Sequence, residues 1–137
     1  MNSFRKAVEA RDEQAIEALL ADDVVFTSPV AFKPYPGKPV TAAILRGVLR
    51  VFEDFEYVRE IADANGRDHA LLFEATVDGK KINGCDFLKY DENGKIVDFT
   101  VMVRPLSAAQ ALAAAMAGQF EQIQQEAAAQ IAREATA

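Results

Sequence analysis

The 137-residue chain has a single cysteine, Cys85, so an internal disulfide is excluded and a cysteine-ligated zinc site would lack its partners. It has a single histidine, His69, so a metal site would rest on carboxylates, and their spacing suggests none. No apolar run approaches the roughly 18–20 residues of a membrane span. Residues 1–9 lack the apolar stretch of a secretory signal, so a cytoplasmic protein is expected. Basic residues are in deficit, Lys and Arg numbering 15 against 21 Asp and Glu, for a formal net charge of -6. That balance argues against bulk attraction to nucleic acid or an anionic membrane. The glycine at position 37 and its neighbours do not make a phosphate-cradling loop. Neither an internal repeat nor a dividing linker is visible. What is present, 50% hydrophobic and 26% charged residues, is the composition of one folded domain.

Along the chain, Ser3 is placed to cap a short helix carrying Phe4, Ala7 and Val8, and Asp12 a second one carrying Ile16, Leu19 and Leu20. Val24 to Thr27 reads as a strand. Ser28 to Pro39 contains Pro29, Pro34, Pro36, Pro39 and Gly37 and must be a loop. Its Val30, Phe32 and Tyr35 call for something to fold over. Ile44, Leu45, Val48, Val51, Phe52 and Phe55 recur at helical spacing and mark a core-facing helix. Three strands follow, Tyr57 to Ala62, His69 to Val77 and Lys80 to Tyr90, the last two joined by Asp78-Gly79, a strong hairpin signal. Asp91-Glu92-Asn93-Gly94 turns into a final strand, Lys95 to Val103, which Pro105 ends. Ser107 with Gln110 fits a capping box, and an alanine-rich helix follows with the stripe Leu112, Met116, Phe120, Ile123, Ala127 and Ile131. This tail is either a loosely held helix or one that docks on a partner subunit.

Two short helices, a strand, a proline-rich loop, a helix and a run of hairpins form a distinctive order. With Val77-Asp78-Gly79-Lys80, Gly84-Cys85-Asp86, Tyr90-Asp91-Glu92-Asn93-Gly94-Lys95-Ile96 and Arg104-Pro105, this resembles the nuclear transport factor 2-like superfamily, in its SnoaL-like branch. The resemblance implies an α+β cone, a curved and mostly antiparallel sheet wrapped around the N-terminal helices. It places a SnoaL-like cone over residues 1–116 and a helical extension of the same domain over 117–137. It also implies a pocket, which Phe26, Phe32, Val48 and Phe52 would line. Ketosteroid isomerase, limonene epoxide hydrolase, scytalone dehydratase and polyketide cyclases belong to that superfamily, beside binding modules without chemistry. Several catalytic members are expected to carry a histidine or acid along the last strand. Here that strand offers only Asp98, beside the turn.

Turn arithmetic assigns faces without the family. A two-residue loop at Asp78-Gly79 pairs Val77 with Lys80, Phe73 with Gly84, Leu71 with Asp86 and His69 with Leu88. Partners and alternate residues share a side. His69, Leu71, Phe73, Ala75, Ile82, Gly84, Asp86 and Leu88 therefore share one face, apolar enough to be the concave one. At Asp91–Gly94 a three-residue loop with Gly94 left-handed would shift the register and flip the faces, whereas a four-residue loop pairs Leu88 with Val97 and Asp86 with Phe99. The latter is preferred because it puts Val97, Phe99, Val101 and Val103 together on that face. Leu72, Cys85, Phe87 and Met102 then share the outer face, whose apolar character implies a homodimer.

Asp86 is the leading candidate, because burial raises the pKa of a carboxylate and suits it to general acid or base work. His69, diagonal to it, would complete a proton-transferring pair. Tyr35 and Tyr57 could offer hydroxyls, and Leu71, Phe73, Leu88, Phe99 and Val101 an apolar lining. Three readings follow. One is a cofactor-independent isomerase, cyclase or hydrolase acting on a small hydrophobic molecule. The others are a non-catalytic ligand-binding module and a dimeric interaction domain with a vestigial pocket.

Overall fold

Local sequence sets where the elements begin and end. The structure, a computed structural model, describes residues 2–136. Asn2 rather than Ser3 caps α1 (Ser3–Glu9): its Oδ1 accepts the Arg5 N–H at 3.0 Å. Asp12 caps α2 (Glu13–Ala18) through the Ala15 N–H at 3.1 Å. Strand β1 (Leu20–Thr27) starts earlier than its β-branched residues imply, and the proline-rich loop contains the two-residue strand β2 (Tyr35–Pro36). Helix α3 (Lys38–Val51) stops before its expected apolar stripe is complete. Phe52 is already extended, with ψ 133, and Phe55 lies on β3 (Glu53–Ala62), so the two face one interior from different elements.

Strands β4 (Asp68–Val77), β5 (Lys80–Tyr90) and β6 (Ile96–Arg104) follow, then α4 (Leu106–Thr136). The sheet is curved and unclosed, with order β2-β1-β6-β5-β4-β3. All neighbours are antiparallel except β1 and β6, which are parallel. Among the described residues no helix is long and apolar enough to cross a membrane.

Asp78 and Gly79 have φ of 49° and 74°, as a tight two-residue hairpin turn requires. The register is the expected one, with Val77 opposite Lys80, Phe73 opposite Gly84, Leu71 opposite Asp86 and His69 opposite Leu88. The next hairpin corrects the expectation by two residues: Leu88 pairs with Phe99 and Asp86 with Val101. The loop supplies one residue of the shift, pairing Tyr90 with Ile96 rather than Lys95, and a bulge at Lys89/Tyr90 the other, so Ile96 rather than Val97 takes the fully buried place. The slip is even, so Phe99 keeps its face.

Helix α4 is one continuous helix lying on α3 of its own chain. Ser107 falls within its first turn rather than at the cap, because the helix begins directly after Pro105. The buried residues are Ala108, Leu112, Ile123, Ala127 and Gln130, whereas Phe120 and Ile131 of the expected stripe are exposed. Glu126 takes hydrogen bonds from both Arg46 and Arg50, and Arg50 Nε donates to Gln119 Oε1 at 2.6 Å. Gly47 lets the helices meet, since a Cβ there would lie 2.9 Å from Ile123 Cδ1.

Gly84 has a comparable role in the sheet. The Phe73 ring lies across it, and an added Cβ would come within 2.1 Å of Phe73 Cζ. That ring stacks on Phe55 at 4.9 Å and contacts Phe52 and Tyr57. Gly84→Ala must therefore push Phe73 into its neighbours. We expect a loss of about 1–3 kcal/mol in denaturant unfolding, the usual cost of overpacking. An unchanged midpoint would show that the ring does not depend on the glycine.

Candidate functional site

The concave face of the sheet, α1, α3 and the first turns of α4 enclose a cavity of about 70 Å³. Its walls are almost entirely hydrocarbon. Phe26 and Phe99 meet edge to face at 5.4 Å on one side, and Phe52, Phe55, Tyr57 and Phe73 form an aromatic cluster on the other. Val48, Leu112 and Met116 complete the helical side, and Ser28, Pro29 and Val30 the side toward the loop. Among the described residues that line it, none is Lys, Arg or His.

One ionisable pair stands in this lining. Asp86 projects inward from the middle of β5 and is 6% exposed. Tyr57 projects from β3, and its hydroxyl donates to Asp86 Oδ2 at 2.8 Å. Burial drives the Asp86 carboxyl up to about 7, although the Tyr57 hydrogen bond favours the ionised form and pulls the other way. Burial, together with the adjacent Asp86 charge, holds the Tyr57 hydroxyl well above its usual range. At neutral pH Asp86 therefore divides between acid and carboxylate while Tyr57 stays a donor.

His69 does not join this pair. It shares the inner face in register, yet its ring sits at the far end of the sheet, edge-on to Tyr90 at 5.0 Å. Asn2 Nδ2 donates to His69 Nδ1 at 3.1 Å, and His69 Nε2 donates to the Gly66 carbonyl at 3.2 Å. Asn2 is oriented by its capping bond to Arg5 and by Tyr90, so both ring nitrogens are committed to structure. The expected imidazole–carboxylate pair is replaced by a phenol–carboxylate pair.

Of the other expected site residues, Phe26, Val48, Phe52, Tyr57, Phe73, Phe99 and Val101 line the cavity. Leu71 and Leu88 are buried on the same face but pack into solid core. Tyr35 is held on β2, opposite Phe26, and packs against the core without reaching the cavity. Phe32 is 100% exposed, because the proline-bounded loop carries it outward rather than over the interior. Phe55, Ser28, Pro29, Val30, Leu112 and Met116 line the cavity without having been singled out as site residues. The last two lay in the alanine-rich stripe, where nothing local distinguishes a cavity wall from core. Cys85 is half-buried, and burial pushes its thiol up, against reactivity.

Residues 2–99 match the SnoaL-like domain, and the chain belongs to that family. Among solved structures it is similar to a steroid delta-isomerase from Pseudomonas aeruginosa, at 44% identity and a TM-score of 0.82 over 87% of each chain. It is also similar to an uncharacterized protein with a cystatin-like fold from Silicibacter pomeroyi, at 34% identity and TM-score 0.80, covering 90% of this chain and 91% of that one. An NTF-2 like protein of unknown function from Burkholderia xenovorans shares the fold at 21% identity, with TM-score 0.62 over 80% and 87% of the two chains. No curated protein matches the chain.

The raised carboxyl has a consequence for stability. Asp86 binds its proton more tightly in the folded than in the unfolded state. Its contribution is therefore complete below about pH 3.8 and is lost as the pH rises through about 7. Asp86→Asn is neutral throughout and lacks this slope. Denaturant unfolding across that window should show wild type losing stability relative to the variant, on the order of a few kcal/mol. Parallel curves would mean that Asp86 titrates as an ordinary surface acid. Tyr57→Phe removes the bond that favours the carboxylate and should move the Asp86 midpoint higher still.

Proposed function

We propose that the cavity receives a small, neutral, hydrophobic molecule and that Asp86, held by Tyr57, transfers a proton on it. The observation that carries this reading is a buried carboxylate, poised near neutrality, on an otherwise hydrocarbon wall without a cation. A carboxylate or phosphate substrate would meet a like charge and no counter-ion, and the hydrocarbon walls disfavour a cation, so the ligand is uncharged. Tyr57 occupies Oδ2, which leaves Oδ1 for the ligand. In ionised form Oδ1 can take a proton from a carbon beside a carbonyl. The C–H bond breaks, an O–H bond forms, and the electron pair moves onto the carbonyl oxygen. Where a β,γ double bond adjoins that carbon, return of the proton to the γ carbon re-forms the carbonyl, moves the double bond to the α,β position and completes an isomerisation with no cofactor.

Ser28 supplies a third polar group on the wall. Its Oγ accepts the Val30 N–H at 3.1 Å, which leaves the hydroxyl proton available for a ligand oxygen. The 44%-identical structure described as a steroid delta-isomerase supports a proton shift of this class. A cavity of about 70 Å³ is smaller than the roughly 300 Å³ at the lower end of ligand sites, so a steroid-sized molecule would require Ser28–Val30 to move outward. That small volume, with Tyr57 and Asp86 already bonded to each other, favours ligand binding without turnover as the second reading.

The test is the conjugation of a β,γ-unsaturated cyclic ketone, followed by ultraviolet absorbance. Wild type should accelerate it. Asp86→Asn should lower kcat by about 10²–10⁴-fold with little change in ketone affinity. Equal rates in both would remove Asp86 from the chemistry, and binding without acceleration would favour the second reading.

We also infer a homodimer through the outer sheet face. Leu72, Cys85 and Met102 form one cross-strand row there, and Ala70, Phe87 and Thr100 the next. Met102 is 61% and Phe87 42% exposed. Asp68, Lys89 and Asp98 border these rows at one end, Glu74 and Arg104 at the other, so each end carries both signs for a second copy. Light scattering should give a dimer at micromolar concentration and a monomer for Met102→Glu. A monomeric wild type would rule out the assembly.

A further inference from the structure

The family match ends at residue 99, before α4, yet α4 supplies part of the cavity wall. Leu112 and Met116 point inward from its first turns. The helix is fixed further along by Glu126 between Arg46 and Arg50 and by Ile123 seated on Gly47. Met116 Cε would lie 3.5 Å from a Cβ at Gly47, so the thioether lies in the α3–α4 seam, at the margin of the cavity that Met116 lines. The wall opposite α4 consists of side chains on strands, fixed by ladder bonds and aromatic packing. Met116 differs from these: it is unbranched, with three rotatable side-chain bonds, and only partly buried.

We propose that Met116 is a specificity-determining residue, an adjustable stop contributed by the C-terminal helix that sets how long a ligand the cavity accepts. The inference rests on the reading of the cavity as a site for neutral apolar molecules. It adds which residue limits their length. A ligand whose carbonyl lies at Asp86 extends its hydrocarbon toward α4, and Met116 is the flexible side chain at that boundary.

The probe is a homologous series of straight-chain 2-ketones, titrated against the full-length protein by ligand-observed NMR. With wild type, each added methylene should tighten binding by about fourfold until the chain meets Met116, after which affinity stops rising. Met116→Ala should move that break about two methylenes longer, because three heavy atoms have been vacated. Met116→Phe should move it shorter, and the volume-conserving Met116→Leu should leave it in place while controlling for folding. The same break in wild type and in Met116→Phe, or in wild type and a folded Met116→Ala, would overturn the assignment of Met116. No binding of any ketone to any variant would instead overturn the reading of the cavity as a ligand site, and the inference with it.

Discussion

The two residues of the Asp78-Gly79 turn constrain everything that follows from the sheet. Both have positive φ, a conformation that matches the twist of the flanking strands and permits one pairing between them. A slip of one residue would put Phe73 of β4 and Gly84 and Asp86 of β5 on opposite faces of the sheet. With the register held, the Phe73 ring can lie over Gly84, and Phe55 and Tyr57 of β3 can pack on that ring. Tyr57 is thereby fixed where its hydroxyl meets the carboxylate at the centre of β5. The site follows from a backbone turn joining two interior strands, transmitted through one aromatic cluster.

Within that frame two opposed effects act on Asp86. Removal from water disfavours its charge, and the Tyr57 hydroxyl restores part of what is lost. Burial is the larger, so the group is held near neutrality instead of remaining a permanent anion. A fully solvated carboxylate would be a weak base, and one paired with arginine would be weaker. An apolar wall with a single hydrogen bond to the carboxylate leaves the carboxyl able to accept and release a proton at the same pH. The exclusion of Lys, Arg and His from the lining serves the same end, and it leaves no counter-ion there for an anion.

Much of this was legible in the sequence where one local rule had no competitor. Asp78-Gly79 admits one common loop length, so the β4–β5 pairing and the inward position of Asp86 followed by counting. Asp91 to Gly94 admits several, and the bulge beside Tyr90 decided among them. The apolar stripe ending at Phe55 looked continuous because Phe52 and Phe55 do serve one interior, though the chain leaves the helix at Val51. His69 was misplaced for a different reason. Its ring is held by Asn2, 67 residues away, and no local pattern reveals such a partner. Phe32 shows the limit of arguing from hydrophobicity alone, since the prolines around it outweigh its preference for burial. Met116 sat in a stripe that alanine makes helical in any surroundings, and its place at the cavity depends on α4 folding back along α3.

The account stands on Asp86 sharing its cavity with an apolar ligand. Carboxyl-carbon NMR of Asp86 across pH, with and without a saturating neutral ketone, tests this most directly. A ketone bound beside the carboxyl displaces water from it, so the midpoint should rise above the value of about 7 that burial and the Tyr57 hydrogen bond together set in the free protein. A midpoint that does not move with ketone present, or one near 3.8 in the free protein, would contradict the claim.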